Sequence, residues 1–279
     1  MKKNNRTLLE SIKKDIFKGF KRFFWYFYTV TKYFMLTFLF NLTKKETNNS
    51  KISLLCPTRE RSVKFERLLK SFNNTCNSNS NTEILVLLDE DDNQTDKYKK
   101  IITEETLKKN NIKLFIKNFK THAQRNNFLA SKSTGEILFP INDDMIFLSN
   151  NWDLLINEEF SKTPKNKPYC LWIDSGKKYR YLHCDFPIIN RNWYETLGYV
   201  GSEFFNFWYL DTWICDLSFK SKKFLVSNKI EVNQLSADTH KNEVDNTFLK
   251  NKKGGIPEKD FLIWKNTEEN RKSDSRKLI

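Results

Sequence analysis

The run Asn142-Asp143-Asp144 sets two adjacent carboxylates between apolar neighbours, with Ile137, Leu138, Phe139 and Ile141 before it and Met145, Ile146 and Phe147 after it. Adjacent carboxylates repel each other and lose hydration against apolar walls, so the arrangement is unfavourable unless a cation or a set of donors sits against it. Oxygen ligands suit Mg²⁺ or Mn²⁺, which bind through one or two carboxylates and complete their shell with phosphate oxygens. The alternative is a solvated turn, the usual fate of such a run between two elements. Two further runs carry groups able to meet a phosphorylated ligand: the basic turn Pro57-Thr58-Arg59 and the acidic stretch Asp89-Glu90-Asp91-Asp92.

Each of these runs closes an apolar stretch that reads as a buried strand: Ile52 to Leu55, Ile84 to Leu88, and Ile137 to Ile141. Between them lie a helix with Phe65, Leu68, Leu69 and Phe72 on one face, a further strand from Ile112 to Ile116, and a helix from about Thr121 to Lys132 carrying Arg125 and Asn126. Continuous apolar strands alternating with helices predict an α/β fold: a mostly parallel central sheet with helices on both faces, and ligands bound beyond the strands' carboxyl ends. The three polar runs all fall at those ends.

Arg125-Asn126, then Gly135-Glu136, then Asn142-Asp143-Asp144, with an acidic residue downstream, resembles the landmark order of the family 2 glycosyltransferases of the GT-A fold. The resemblance covers roughly residues 51 to 248, and Asn142 stands where that family carries Asp. It implies an inverting enzyme that moves a sugar from a nucleotide-diphosphate donor to a hydroxyl of a glycan or lipid-linked acceptor, assisted by Mn²⁺ or Mg²⁺. By the same resemblance Asp144 would ligate the metal directly, while Asp143 would bind through water or to the ribose. Asp89, with Asp91 or Asp92, would accept hydrogen bonds from the base or ribose beside Pro57, Thr58 and Arg59, and Arg125 would offset phosphate charge. Asp211, in FFNFWYLDTWICDLSF, takes the place of the catalytic base; the usual Glu-Asp pair is here Leu210-Asp211. His240 is the one histidine late enough to join the metal. Trp193 lies in an aromatic stretch suited to stacking on a sugar and is a candidate for substrate binding, but aromatics at helical spacing are more often core, and a core position is the preferred reading. Tyr179 to Asp185 is expected to continue the sheet beyond a strand from Pro168 to Ile173.

The net charge of +14 invites nucleic acid as a partner, but its distribution argues against one. Residues 1–50 hold 11 basic and 3 acidic side chains, residues 249–279 hold 9 and 5, and the middle is nearly balanced at 28 and 26. A nucleic-acid reader would carry its basic stripe on the folded domain. Three units are expected: a basic aromatic helix and linker over 1–50, a catalytic domain over 51–248, and a fraying basic tail over 249–279. Phe23 to Leu42 is close to the roughly 20 residues that cross a bilayer, but Lys32 in its middle would cost about 2.5–3.5 kcal/mol. An interfacial helix over residues 8–42 with peripheral membrane contact is therefore preferred, or else a helix packed on the body. Five cysteines without CxxC spacing suit a reducing compartment, so the expected location is cytoplasmic, on the inner face of a membrane. Two other functions remain open. One is a non-catalytic adaptor that binds membrane or polyanion through the first 50 residues. The other is a nucleotidyltransferase, weakened because the turn CPTRERS lacks a glycine-rich phosphate loop.

Overall fold

Six residues, Ile52–Pro57, form strand β1, and all of them are buried. In the computed structural model, which describes residues 49–77, 81–107, 111–176, 183–235, 243–252 and 255–279, β1 pairs in parallel with β2 (Thr82–Leu88) on one side and β4 (Ile137–Pro140) on the other. Strand β3 (Ile112–Ile116) extends the sheet beyond β2, again in parallel. Strands β5 (Met145–Phe147), β6 (Cys170–Asp174), β7 (Ile188–Asn190) and β8 (Phe224–Gln234) complete the order β3-β2-β1-β4-β7-β6-β8-β5. β7 runs antiparallel to β4 and β6, β6 and β8 are parallel, and β5 is antiparallel to β8.

The chain winds outward from β1 to β3 and then returns to the opposite side of β1 with β4. That reversal makes the gap between β1 and β4 a topological switch point, where ligands bind in open α/β sheets. The register aligns Leu55 with both Leu85 and Pro140. Thr58, Asp89 and Asn142 to Asp144 therefore leave the sheet at one edge.

Helices cover the sheet as the apolar spacing predicts. Helix α1 (Ser62–Thr75) buries Phe65, Leu68, Leu69 and Phe72, and packs against β5. After α2 (Thr95–Leu107), helix α3 (His122–Lys132) starts with a capping box in which Thr121 and Gln124 satisfy each other's exposed amides. It packs on β1 and β2. The remaining helices are α4 (Trp152–Ser161), α5 (Arg191–Leu197), α6 (Leu210–Ser221), α7 (Asn246–Lys252), α8 (Ile256–Asn266) and α9 (Glu268–Lys277).

Two expectations need correction. The described residues of the segment expected to fray, 249–279, are largely helical: α9 packs along α6, where Arg271, Ser275 and the following Leu278 are buried, and Asp260 of α8 is buried as well. Asp260, Arg271 and Asp274 have partners inside the fold, which composition alone does not reveal. Residues 183–185 lie outside any strand, so they do not continue the sheet; 177–182 fall outside the described residues, as do 1–48 with the expected membrane-facing helix. Among the described residues no helix is long and apolar enough to cross a membrane.

The approach to β4 is fixed by a buried carboxylate. Glu83 accepts from Thr134 N (2.6 Å), Ser53 Oγ (2.7 Å) and Lys113 Nζ (2.8 Å). Burial alone would raise its pKa, but these donors hold it at about 2. Next to it, Gly135 donates its N–H to Ser53 Oγ at 2.9 Å. A Cβ there would lie 2.4 Å from Ser53 Oγ and 2.8 Å from Lys51 O and Ser53 N, two of the three being backbone or backbone-tied. Gly135→Ala is accordingly expected to destabilise the protein by about 1–3 kcal/mol, measured as a lowered urea midpoint with an unchanged slope.

Candidate active site

Each turn at the switch-point edge contributes charge, and the charges are paired. Thr58, directly after β1, donates through Oγ1 to Asp143 Oδ2 at 2.6 Å and lies 2.7 Å from the Tyr98 hydroxyl. This bond ties the β1 turn to the acidic turn after β4. Arg59 reaches Asp89 at 2.8 Å, and its Nη2 donates to Asp91 at 2.8 Å. From α3, Arg125 donates to both oxygens of Asp89 at 2.9 and 3.1 Å. Two guanidiniums thus converge on one buried carboxylate at the end of β2, a charge-assisted arrangement of the strong kind.

Asp143 and Asp144 are both buried. Asp143 takes a second bond from Arg61 Nη1 at 3.1 Å, whereas Asp144 stands 4.0 Å from that nitrogen. Asp144 receives the Gln234 side-chain amide at 3.1 Å. Burial, and then the charge of Asp143, push its pKa up to about 6. A carboxylate so destabilised in its ionised form fits a divalent cation, and carboxylate oxygens from Asp144 and Asp143 suit Mn²⁺ or Mg²⁺. Arg61 in turn grips Asp245 with two bonds, at 2.8 and 2.9 Å. Burial opposes ionisation of Asp245, but the bonds from Arg61 and Lys64 hold it at about 2.

Asp211 opens α6 and lies at the far side of α3's first turn. His122 on α3 donates its backbone N–H to Asn206 O at 3.4 Å, three residues before Arg125 meets Asp89. The imidazole of His122 is buried, and burial with the Arg125 charge drives its pKa down to about 4, with Asp211 partly offsetting the effect. So α3 spans from the acid of β2 to the acid of α6. Asp211 Oδ1 accepts from Thr212 N at 2.7 Å, and Oδ2 lies 2.9 Å from His183 Nε2. Burial pushes its pKa up, but the bond and charge of His183 together with the two bonds from Thr212 outweigh burial and keep Asp211 below the usual carboxylate range. Asp185 joins the pair, with His183 Nε2 3.8 Å from its Oδ1. One ligand atom from each of His183, Asp185 and Asp211 falls within 4.8 Å of the others, a second grouping able to hold a cation.

Several residues named from sequence have other places. Trp193 is 0% exposed, inside the core, so it cannot stack on a sugar. Asn126 is 1% exposed and donates to His122 O at 3.1 Å, facing the helix interior. Asp92 accepts the backbone N–H of Glu60 (2.8 Å) and of Gln94 (2.7 Å), which makes it the organiser of its own loop. Pro57 is the buried last residue of β1, and Asn142 closes the acidic turn by accepting Met145 N at 3.2 Å. His240 lies outside the described residues. Sequence reasoning passed over Arg61, His183, Asp185 and Asp245. The pairing of Arg61 with Asp245 spans 184 residues, and no local signal announces it; the alternation His183-x-Asp185 was the available hint for the other two.

A family model described as chondroitin N-acetylgalactosaminyltransferase matches residues 17–165. No curated protein matches the sequence. Among solved structures, the fold is similar to a mannosyltransferase from Pyrobaculum calidifontis in complex with GDP-Man and Mn²⁺, with a TM-score of 0.55, 13% identity, and coverage of 75% of this chain and 67% of that one. It is also similar to residues 1–349 of TarS from S. aureus (TM-score 0.52, 16% identity, 67% of this chain and 61% of that one). A third likeness is to GalNAc-T7 with UDP, GalNAc and Mn²⁺ (TM-score 0.53, 13% identity, 66% and 43%). At such identities the likeness is one of fold, the GT-A fold, and the chain spans about two thirds of the first of these proteins and less of the other two.

The raised pKa of Asp144 has a signed consequence for stability. Between the ordinary value of 3.8 and about 6, the folded protein holds a proton that the unfolded chain has released. Stability therefore falls as pH rises through that window and levels off above it. Asp144→Asn removes the effect, so in metal-free buffer the variant is expected to be more stable than the unmodified protein by about 1–3 kcal/mol at pH 7 and equal to it near pH 4. Urea denaturation at both values measures the difference.

Proposed function

The chain belongs to the chondroitin N-acetylgalactosaminyltransferase family of glycosyltransferases, and from that premise we propose that it transfers a sugar from a nucleotide-diphosphate donor to an acceptor hydroxyl with inversion at the anomeric carbon. The observation that carries this is the buried pair Asp143 and Asp144 at the switch point, tied to Thr58 and left with Asp144 pushed up to about 6. Nucleotide sugars and Mn²⁺ occupy proteins of this fold, GDP-Man in one case and UDP-GlcNAc in another.

In the proposed reaction Asp144 would hold a divalent cation, which would supply neutralising charge for the diphosphate leaving group. Asp143 is oriented by Thr58 and Arg61. Arg59 and Arg125, fixed by Asp89, place two cations beside the donor's phosphates. Asp211, depressed by His183 and therefore ionised at neutral pH, takes the proton from the acceptor hydroxyl. The hydroxyl oxygen then bonds to the anomeric carbon as the carbon–oxygen bond to the diphosphate breaks, and that electron pair leaves with the diphosphate. A single displacement of this kind inverts the centre.

The matched residues 17–165 include Thr58, Asp89, Arg125, Asp143 and Asp144 but not Asp211, so the donor and acceptor sides call for separate tests. Asp144→Ala is expected to weaken Mn²⁺-dependent binding of UDP or GDP by at least tenfold in calorimetry. Asp211→Asn is expected to retain that binding while lowering kcat by about 10²–10⁴-fold. Equal turnover in Asp211→Asn would remove it from the role of base.

A further inference from the structure

We propose that α8 and α9 form a brace that positions the acceptor side of the site, with Asp260 fixing the loop that leads into Asp211. The functional part of the proposal rests on Asp211 acting as the base.

Asp260 is 0% exposed. A buried carboxylate is strongly unfavourable unless donors surround it, and here all of those donors come from one short loop. Asp260 accepts Asn206 N at 2.8 Å, Asn206 Nδ2 at 2.7 Å, Phe207 N at 2.9 Å and Trp208 N at 2.9 Å. Three successive backbone N–H groups aimed at one anion form the concave arrangement that binds anions tightly. The next residue, Tyr209, adopts a left-handed backbone (φ 72°, ψ 11°), which a side-chain-bearing residue reaches at a cost. Its ring is held between Phe205 and Trp264 of α8, each stacked at 5.4 Å. Asp211 is two residues further on. Loop 206–208 is thus set at its backbone by one carboxylate, and its exit by one ring of the same helix.

Two further ties repeat the pattern. Arg271 of α9, buried, donates to Asp216 Oδ2 on α6 at 2.8 Å and to Trp264 O at 2.7 Å, with its guanidinium 3.6 Å from the Trp264 ring. Asp274 accepts the Tyr199 hydroxyl, which in turn accepts Trp213 Nε1 of α6 at 3.2 Å. The helix carrying Asp211 is therefore held on its approach by Asp260, and along its length by Arg271 and by Asp274 acting through Tyr199. Among the described residues, every side-chain bond of Asp260 goes to the acceptor-side loop, none to Asp89, Asp143 or Asp144. A residue with only a general structural role would weaken both sides together.

The test uses the full chain carrying Asp260→Asn, which keeps shape but turns an amide N–H against the loop's donors. Hydrogen exchange at the amides of residues 206–212 is expected to speed up at least tenfold while that of β1 and β2 is unchanged. Calorimetric binding of UDP or GDP with Mn²⁺ is expected to stay within twofold. With whichever nucleotide sugar of a panel the unmodified protein turns over, kcat should fall at least tenfold at unchanged donor KM. If Asp260→Asn does not fold, Arg271→Lys is read in the same three assays, with smaller changes of the same sign. Unchanged exchange at 206–212, or an equal loss of nucleotide binding and turnover, overturns the brace. Failure of the unmodified protein to bind UDP or GDP with Mn²⁺ would instead overturn the donor-site reading, leaving the exchange result to decide the brace.

Discussion

Carboxylates brought to one edge of a parallel sheet repel one another, and the protein is organised around how each is neutralised. Asp89 has two guanidiniums, Asp143 a hydroxyl and a guanidinium, Asp92 two backbone amides, and Asp260 three backbone amides and a side-chain one. Asp144 is the exception. Arg61 stops 4.0 Å short of it and a neutral amide is its hydrogen-bonding partner, so much of the cost of its ionisation stays in the fold. An unrelieved buried acid of this kind is a mark of a functional position, because a purely structural one gains nothing by keeping it.

The gathering itself follows from apolar patterning. β1 and β2 are buried throughout, which forces helices onto both faces and crossovers of one hand between parallel strands. Once β1 is flanked by β2 and β4 in the observed register, the residues after each strand must meet. Thr58, Asp89 and Asp143 are neighbours because the sheet is parallel.

That logic explains what could be seen from the chain beforehand. Strands β1 to β4 and β6 and the first and third helices were legible because their apolar periods are local, and the polar runs at the ends of β1, β2 and β4 were legible because strand ends are where such sheets bind ligands. The roles proposed for Asp144 and Asp211 rest on resemblance to a family, and in the fold Asp144 is buried beside Asp143 while Asp211 lies against His183. What stayed hidden was anything whose meaning depends on a distant partner. Asp260 and Arg271 look like solvated charges in a basic tail, yet both are buried and fully engaged. Trp193 is in the core, the place its helical spacing favoured over stacking on a sugar. His183 looked too early to matter, since only the folded chain brings it to Asp211.

The distance in sequence between Arg61 and Asp245, 184 residues, also bears on how the molecule comes into being. Domains are made from the amino end at roughly 5–20 residues per second, so a growing chain carries the β1 turn for about 10–40 s before the carboxylate that grips its arginine emerges. Through that interval a nascent sheet can pair its strands, but its cationic turn lacks one counter-charge and the loop before α6 lacks its anchor. A ribosome-bound chain of this protein therefore carries its framework strands before the last counter-charge of the β1 turn is made.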